Sequence, residues 1–257
     1  PLETLAFVMV LAGFGFKLSV VPFHLWTADV YEGAPVAVTA YLSVVSKGTL
    51  LMVLITLLYE SFLSHLVNWY DMLLLLATLT MVVGNLFALR QQNLKRFLAF
   101  SSVAQAGFIL VGVSGESIDG SSSVLYFILI YLFSNLAAFG VVGVVSNATG
   151  RERIDDFKGF YQTNPALTWV LALALFSLAG VPPTAGFFGK FFLLLAGAAK
   201  QHYWIIVLAS LNMVVSLYYY LRVVKAMFMD ANAQPLERIQ TPAGVRLALV
   251  ICVAGLL

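Results

Sequence analysis

The sequence is poor in charge and in the motifs of soluble enzymes. Charged residues make up 10% of its 257 residues, against about 25% in a typical soluble domain. A single cysteine, Cys252, lies in an apolar run, which excludes a thiolate cage for zinc or an iron–sulfur cluster. His65 and His202 stand apart from other potential ligands, so no metal site is predicted. The absence of a phosphate-binding glycine loop and of a basic stripe argues against nucleotides and nucleic acid as ligands.

In place of charges and enzyme motifs, the chain contains long apolar runs, and 61% of its residues are hydrophobic. A helix crosses the bilayer core with about 20 apolar residues. The predicted fold class is therefore all-α, a polytopic bundle of about eight transmembrane helices in the lipid bilayer. Because the chain begins with Pro1 and stops inside an apolar run, we expect a C-terminal fragment of a longer membrane protein. The eight predicted segments are 1–31, 35–59, 70–90, 94–114, 122–147, 165–200, 202–229 and 242–257.

Two of these segments carry prolines where a continuous helix is expected. Pro22 interrupts the first segment, and Pro182 and Pro183 interrupt the sixth within the stretch AGVPPTAG. A proline removes a backbone hydrogen bond and clashes with the preceding turn. Paired broken helices are typical of transporters, whereas an ordinary proline kink is the alternative, above all for Pro22.

The basic residues favour one side of the membrane. If all eight segments cross, ten of the 14 lysines and arginines fall on the same side, and Lys200 alone falls on the other. The positive-inside rule then places loops 90–96, 148–164 and 222–246 in the cytoplasm, with the chain as a multi-pass protein of a bacterial inner membrane. Loop 149–160 mixes both signs of charge with apolar residues, and either an interfacial, partner-binding loop or a solvated loop fits this pattern.

The three remaining lysines, Lys17, Lys47 and Lys190, lie inside apolar segments. A lysine near the bilayer centre costs about 2.5–3.5 kcal/mol on insertion scales, so each is expected to face the bundle interior or a wet cavity. Burial favours the uncharged amine, which allows such a lysine to accept and release a proton. Snorkelling to the interface is the alternative, and it fits Lys190 better than Lys47, which lies midway along its segment.

The acidic residues, by contrast, stand at segment ends, in loops or near the chain start, and none lies in the middle of a segment. A buried ammonium requires a counter-charge, so a carboxylate partner of Lys17 is expected from sequence outside this chain or from another subunit. Ser101, Ser102 and Gln105 cluster in the fourth segment, where a water wire and plain helix–helix hydrogen bonding are both open.

His24 follows the first break directly. Histidine titrates near neutral pH, which suits a proton relay. The alternative is an interfacial histidine beside Trp26, and the sequence does not separate the two.

Three stretches resemble a known family. They are GFKLSVVPFHLWTADVYEGAPVAVTA at 15–40, with Lys47 following, NLKRFLAFSS at 93–102 and GVPPTAGFFGK at 180–190. Together they closely resemble the antiporter-like subunit N family of NADH:quinone oxidoreductase, respiratory complex I, and the resemblance covers essentially the whole chain. It implies a proton-translocating subunit that works beside other membrane subunits of complex I. It also implies no redox cofactor in this chain, with NADH, FMN, iron–sulfur clusters and quinone in other subunits.

The same resemblance implies a domain organisation and the roles of particular residues. Members have fourteen helices with two inverted five-helix repeats, and the fourth helix of each repeat is broken. Residues 1–59 would then end the first repeat, 60–229 would form the second, and 230–257 would be a loop and the final helix. Lys17, Lys47 and Lys190 match the family's proton-path lysines. Many members carry histidine where Gln105 stands, and since glutamine cannot titrate, a relay there needs water or another lysine.

Three other functions stay open from the sequence. They are a subunit of a multisubunit cation/proton antiporter, a membrane-arm subunit of a hydrogenase, and a purely structural bundle. The stretch from Lys17 to Lys47 favours the respiratory subunit over the antiporter. Three membrane-embedded lysines argue against a structural bundle, because leucine would be less costly at each position.

Overall fold

The structure, a computed structural model, describes residues 2–62, 69–115, 118–198, 201, 203–232 and 234–257. Over these residues the chain is helical and contains no strand, which confirms the predicted all-α class. The helices are α1 Leu2–Leu18, α2 Leu25–Gly33, α3 Val36–Tyr41, α4 Lys47–Leu57, α5 Trp69–Arg90, α6 Leu94–Val113, α7 Ile118–Thr149, α8 Phe160–Thr163, α9 Pro165–Ala179, α10 Ala185–Ala198, α11 Tyr203–Phe228 and α12 Ala243–Ala254.

Five of the eight predicted segments are helices long and apolar enough to cross a membrane. They are Val36–Glu60, Tyr70–Arg90, Leu94–Val113, Gly120–Thr149 and Tyr203–Phe228. The first of these joins α3 and α4 through a π-helical turn at Leu42–Ser46. The other three predicted segments consist of shorter apolar helices, namely α1 with α2, α9 with α10, and α12.

Helix α6 lies at the centre of the bundle, and every one of its residues except Arg96 is buried. Asn93 begins it, because its side-chain oxygen accepts the backbone N–H groups of Lys95 at 2.8 Å and Arg96 at 3.3 Å, as an N-cap does. Helix α5 touches α6 directly, since a Cβ at Gly84 would lie 2.6 Å from the backbone nitrogen of Ala104. Small residues allow such close approach between membrane helices.

The first predicted break lies between α1 and α2. Helix α1 ends at Leu18, and Ser19 takes a left-handed conformation with φ of 64°. The backbone N–H of Val20 then donates to the carbonyl of Gly15 at 2.8 Å, a typical way of closing a helix end. The chain passes through Pro22 before α2 begins, so the helix stops here and the kink alternative is wrong.

The second break, between α9 and α10, has the same backbone pattern. Gly180 follows α9 with a left-handed φ of 82°, and Val181 N donates to the carbonyl of Phe176 at 3.0 Å. Pro182 and Pro183 come next, as Pro22 does in the first break. The interruption is again a complete helix end followed by a new helix, as the two prolines predict.

The three basic loops meet at one end of the bundle. The Arg153 guanidinium donates to Gln92 at 2.5 Å, and Arg222 donates to the carbonyl of Gln91. The third loop is joined through Arg151, which donates to the carbonyl of Gln234 at 3.0 Å. Their common side of the molecule agrees with the charge pattern, while Lys200, expected on the opposite side, lies outside the described residues.

Loop 149–160 packs onto this end of the bundle and is not simply solvated. Its apolar residues Ile154, Phe157 and Phe160 are buried. Its Glu152 forms an ion pair with Lys95 of α6 at 2.5 Å. The apolar residues of this loop therefore serve to anchor it, which rules out the solvated-loop alternative.

Candidate functional site

Lys47 is the first buried cation of the site. It follows the π-helical turn at Leu42–Ser46, a kind of irregularity frequent at functional sites. Its side chain is buried with the residue 4% exposed, and its ammonium donates to the Ser102 hydroxyl of α6 at 2.5 Å. The ammonium also lies 5.8 Å from the centre of the Tyr31 ring, within the reach of a cation–π contact.

A small cavity of ≈ 10 Å³ adjoins Lys47 and is lined by Ser102 and Tyr131 among other residues. That volume has room for about one water molecule. Its walls are mainly apolar, and Lys47, Ser102 and Tyr131 are the polar residues among them. The hydroxyls of Tyr31 and Tyr131 lie near Ser102 without a hydrogen bond of ordinary geometry. Four polar side chains thus converge on one position.

Gln105 lies one turn further along α6 and is buried. Its side-chain nitrogen donates to the carbonyl of Leu178 at 2.9 Å and to the Tyr220 hydroxyl at 3.3 Å. Tyr220 also shares a hydrogen bond of 2.5 Å with Ser101. The side-chain oxygen of Gln105 has no hydrogen-bond partner among the described residues, so this acceptor is left for a water or another donor.

Lys190 is the second buried cation, with no exposed surface. Its ammonium donates to the carbonyl of Ala179, at the end of α9, at 3.2 Å. It lies 4.8 Å from the centre of the Phe108 ring of α6. The free carbonyls at a helix C-terminus carry partial negative charge, which stabilises the ammonium at the break. Snorkelling to the interface is therefore wrong for Lys190.

One face of α6 joins the two lysines. Ser102 holds Lys47, Gln105 binds the Leu178 carbonyl, and the neighbouring Ala179 carbonyl holds Lys190. Within the described residues, neither lysine has a carboxylate at ion-pair distance. Two cations held by neutral oxygens and aromatic rings can exchange protons without first breaking an ion pair.

Lys17 has a different setting. It lies in the last turn of α1 and is exposed on the outer surface of the described chain, so the interior position expected for it is not found here. The reason is that Leu18, and not Lys17, turns inward and lines the cavity beside Lys47. No carboxylate pairs with Lys17 in the described part of the chain, and the prediction of a partner from elsewhere stays a prediction.

His24 is buried and lies 6.0 Å from Phe87, ring centre to ring centre. Neither ring nitrogen has a hydrogen-bond partner of ordinary geometry among the described residues. Trp26 stacks on Phe16 and donates to its carbonyl at 2.9 Å. The interfacial position of His24 is not tested by these contacts and stays an open alternative. The relay role of His24 stays a prediction.

Sequence reasoning missed the tyrosines and one asparagine of the interior. Besides Tyr31, Tyr131 and Tyr220, the Tyr219 hydroxyl donates to Asn85 of α5 at 2.9 Å. Asn85 in turn donates to the Asn212 side chain at 2.8 Å. Hydroxyl and amide groups at helical spacing within apolar segments would have been the signal for them. The pair Asn85–Asn212 is a hydrogen bond between α5 and α11, of the kind that joins membrane helices.

Ser134 and Asn135 of α7 are buried polar residues outside the site. Ser134 is hydrogen-bonded to Ser177 of α9 at 2.8 Å, and Asn135 donates to the carbonyl of Tyr131 within its own helix. Neither contacts Lys47 or Lys190 through a hydrogen bond. They belong to helix packing, whereas Ser101, Ser102 and Gln105 belong to the site.

Electrostatics at the basic end centre on Glu152. Burial opposes ionisation of Glu152, yet hydrogen bonds from Lys95, Ser146 and Asn93 outweigh it and hold the pKa of its carboxyl below the usual value. The described residues contain no group of three histidines, cysteines or carboxylates that could hold a metal ion. His65 and His202 lie outside the described residues.

Comparisons with known proteins were made for the whole chain. The family described as "NADH:quinone oxidoreductase/Mrp antiporter, TM" matches residues 1–216. The chain is 53% identical to NADH-quinone oxidoreductase subunit N of Azobacteroides pseudotrichonymphae over 258 residues, and 47% identical to that of Phocaeicola vulgatus over 257 residues. Each alignment covers 100% of the chain and 54% of the relative, so the chain spans about half the length of the curated relatives it matches.

Among solved structures, the chain is similar to a subunit of respiratory complex I from Thermus thermophilus, solved with bound aureothin. The two share 33% sequence identity with a TM-score of 0.85, and the match covers 99% of this chain and 56% of that subunit. The fold of the bundle is thus shared over nearly the full length of the chain.

Proposed function

Because the chain belongs to the NADH:quinone oxidoreductase/Mrp antiporter transmembrane family, we propose that it is part of a proton-translocating membrane subunit of NADH:quinone oxidoreductase. The protein would lie in a bacterial inner membrane with loops 90–96, 148–164 and 222–246 in the cytoplasm. It would carry no redox group itself, while NADH, FMN, iron–sulfur clusters and quinone would be handled by other subunits. Other membrane subunits of the complex would be its partners.

The observation that carries this proposal is the pair of buried lysines joined by α6. Lys47 and Lys190 are 4% and 0% exposed, and each is held by a neutral oxygen. Burying an unpaired cation is costly, and a bundle that needed only stability would have apolar side chains there. A lysine whose neutral form is favoured by burial can take up and give away a proton at physiological pH.

The contacts indicate a route for the proton. Lys47 donates to Ser102, and the adjoining cavity has room for one water that can take up its proton. Because glutamine cannot titrate, the unsatisfied oxygen of Gln105 can only orient water along α6 and does not itself carry the proton. Backbone carbonyls accept but do not donate, so a second water is required between Gln105 and Lys190. Lys17 would supply protons to Lys47 from the side of the cavity that Leu18 lines. A proton on one lysine disfavours a proton on its neighbour, so transfer can proceed in steps.

A cation/proton antiporter subunit is the second candidate, because the family description includes such antiporters. The identities of 53% and 47% to proteins named subunit N favour the respiratory complex. The two candidates differ in what drives proton movement, which is NADH oxidation in one and a sodium or potassium gradient in the other. A membrane-arm subunit of a hydrogenase is favoured by no contact in this structure.

The test is Lys47→Met in the full-length gene, with Lys17→Ala as a companion variant and Lys225→Met as the matched control. Lys225 is a mostly exposed lysine at the basic end. NADH-driven acidification of inverted membrane vesicles is measured alongside NADH:quinone turnover, with assembly checked on native gels. Acidification should fall at least tenfold in the first variant and stay unchanged in the control. Normal acidification by an assembled Lys47→Met complex would contradict the proposal, and sodium-driven proton flux would then be measured.

A further inference from the structure

A groove of ≈ 570 Å³ opens at the basic end of the bundle between α9 and α12. Its upper part is polar and includes Asn164, Arg238 and Arg246, while its lower part includes Val170 and Val250. Arg246 and Val250 lie one turn apart on α12, a rise of about 6 Å. The groove therefore changes from polar to apolar along the helix direction, over the distance that separates a lipid headgroup from the first carbons of its chains.

The two arginines of this groove are unusual among the cations of the basic end. Most of the others bind a carboxylate or a carbonyl, as Lys95, Arg96 and Arg222 do. Arg238 and Arg246 are exposed, and in the described part of the chain neither forms an ion pair or a side-chain hydrogen bond. Their guanidinium groups are thus available for an external anion, and arginine is suited to binding phosphate oxygens in pairs.

The position of Arg238 is fixed by the fold. Asn164, which is 5% exposed and immediately precedes α9, donates to the carbonyl of Glu237 at 3.0 Å and accepts the backbone N–H of Ile239 at 2.8 Å. These two hydrogen bonds clamp the backbone on both sides of Arg238. A segment held in this way presents its arginine at the top of the groove at a small cost in conformational entropy.

We propose that this groove binds an anionic phospholipid, with the phosphate between Arg238 and Arg246 and an acyl chain along Val170 and Val250. Basic pockets at helix ends on the cytoplasmic side attract anionic headgroups, and the volume lies in the range of ligand pockets. The apolar lower part of the groove favours a lipid over a free anion, because a free anion would need only the two arginines. This inference does not depend on proton transport and holds for any function of the bundle.

The test uses the full-length chain in its purified complex, stripped of lipid with detergent and then titrated with phosphatidylglycerol or phosphatidylcholine. Retained lipid is measured by native mass spectrometry. Phosphatidylglycerol should bind at least tenfold more tightly, and Arg238→Gln with Arg246→Gln should weaken it about fivefold per arginine. Arg90→Gln is the matched control, since Arg90 is exposed at the same end but does not line the groove. Equal binding of both lipids, or an equal loss in the control, would overturn the proposal.

A second variant keeps both arginines and fills the apolar lower part of the groove. Its result does not depend on whether the arginine variants fold. Val250→Trp should lower phosphatidylglycerol retention at least fivefold while the thermal stability of the complex is kept. Competition by inorganic phosphate as effective as that by phosphatidylglycerol would identify a free-anion site and overturn the lipid assignment. A photoreactive residue at position 250 should crosslink to lipid, and crosslinking to polypeptide alone would likewise overturn it.

Discussion

At the first helix break the lysine is exposed on the outside of the chain, whereas at the second the lysine is completely buried. The backbone does not cause this difference, because Ser19 and Gly180 have the same left-handed conformation and are followed by the same hydrogen-bond pattern. The difference lies in where each cation is placed. Lys17 precedes its break, while Lys190 follows its break and lies in the second turn of α10. The same backbone conformation can therefore accompany an exposed lysine at one break and a buried lysine at the other.

The side chains and backbone groups that pack at the two breaks also differ. At the first break Trp26 stacks on Phe16 and donates to its carbonyl. At the second, α10 lies so close to α9 that a Cβ on Gly186 would collide with the carbonyl of Ser177. Gln105 and Lys190 bind the next two carbonyls, those of Leu178 and Ala179. The first break is thus closed by an aromatic side chain of α2 and by the Thr80 hydroxyl of α5, which accepts the backbone N–H of Val21 at 3.1 Å. The second break is closed by direct backbone contact and by polar side chains from α6 and α10.

The largest expected effect comes from substitutions that test the difference in packing between the two breaks. Gly186→Val should destabilise the fold by about 3 kcal/mol, because the added carbons force α9 and α10 apart. The equivalent position at the first break is Leu25, which is 66% exposed, so Leu25→Val should change stability by less than about 0.5 kcal/mol. Thermal unfolding of the purified full-length protein measures both, and equal losses at the two positions would show that the bends are packed alike.

The next effect concerns the hydrogen bond from α6 to the second break. Gln105→Leu leaves the buried Leu178 carbonyl without its donor, which should cost about 1–3 kcal/mol and lower NADH-driven acidification. Gln105→His is the matched variant, since imidazole can donate to the same carbonyl and can also carry a proton, and it should keep acidification near the wild-type rate. If the leucine variant pumps as well as the histidine variant, Gln105 does not take part in the route.

A smaller effect on stability comes from the lysines themselves. Lys190→Met removes a buried charge and should raise the free energy of unfolding by about 1 kcal/mol, while Lys17→Met should change it by less than about 0.5 kcal/mol because Lys17 is exposed. Both variants should lose proton transport. Differential scanning calorimetry with parallel vesicle assays would check this, and a less stable Lys190→Met protein would mean that its ammonium stabilises the break.

The smallest effect is a pH dependence that originates at Glu152 and reaches the first broken helix through Lys95. The pKa of the Glu152 carboxyl is lowered in the folded state, so its ionised form stabilises the fold above the ordinary carboxyl pKa of about 4.3. This contribution, at most about 1 kcal/mol, is lost as the pH falls through the lowered folded value. Glu152 pairs with Lys95, which also donates to the Glu32 carbonyl at the end of α2 at 3.5 Å.

Hydrogen exchange, corrected for its intrinsic pH dependence, measures that effect. Acidification from pH 7 to about pH 3, below the ordinary carboxyl pKa of about 4.3, should increase exchange in α2 more than in α10, which has no ion pair with this end of the bundle among the described residues. Asp29 and Glu32 are further carboxylates of α2 and bind Arg96, so Glu152→Gln isolates the contribution of Glu152. This variant should show higher exchange in α2 at pH 7 and a smaller change on acidification. An unchanged pH response would exclude Glu152 as its source.

Much of the site could be predicted because its elements carry strong local signals. Prolines within apolar runs marked both breaks, and Lys47 and Lys190 were conspicuous because a cation in an apolar segment is costly. The interior position expected for Lys17 was not found, since the rotation of α1 turns Leu18 inward instead. The tyrosines around Ser102 and Gln105 were missed because tyrosine is common in apolar helices. The role of its hydroxyl depends on the group that it contacts in the folded protein.

The sequence alone determined the membrane class, the helical segments and both breaks, because hydropathy and proline geometry act along the chain. It singled out three lysines in apolar segments, and only the structure separated the exposed Lys17 from the buried Lys47 and Lys190. Only the tertiary structure decided that α6 joins Lys47 to Lys190, that the oxygens beside these lysines are neutral, and that Arg238 and Arg246 share one groove. Those relations depend on helices distant in sequence that come together through close packing, as α5 and α6 do at Gly84. Distances across such contacts are set by the shapes of both partners, and neither helix carries that information by itself.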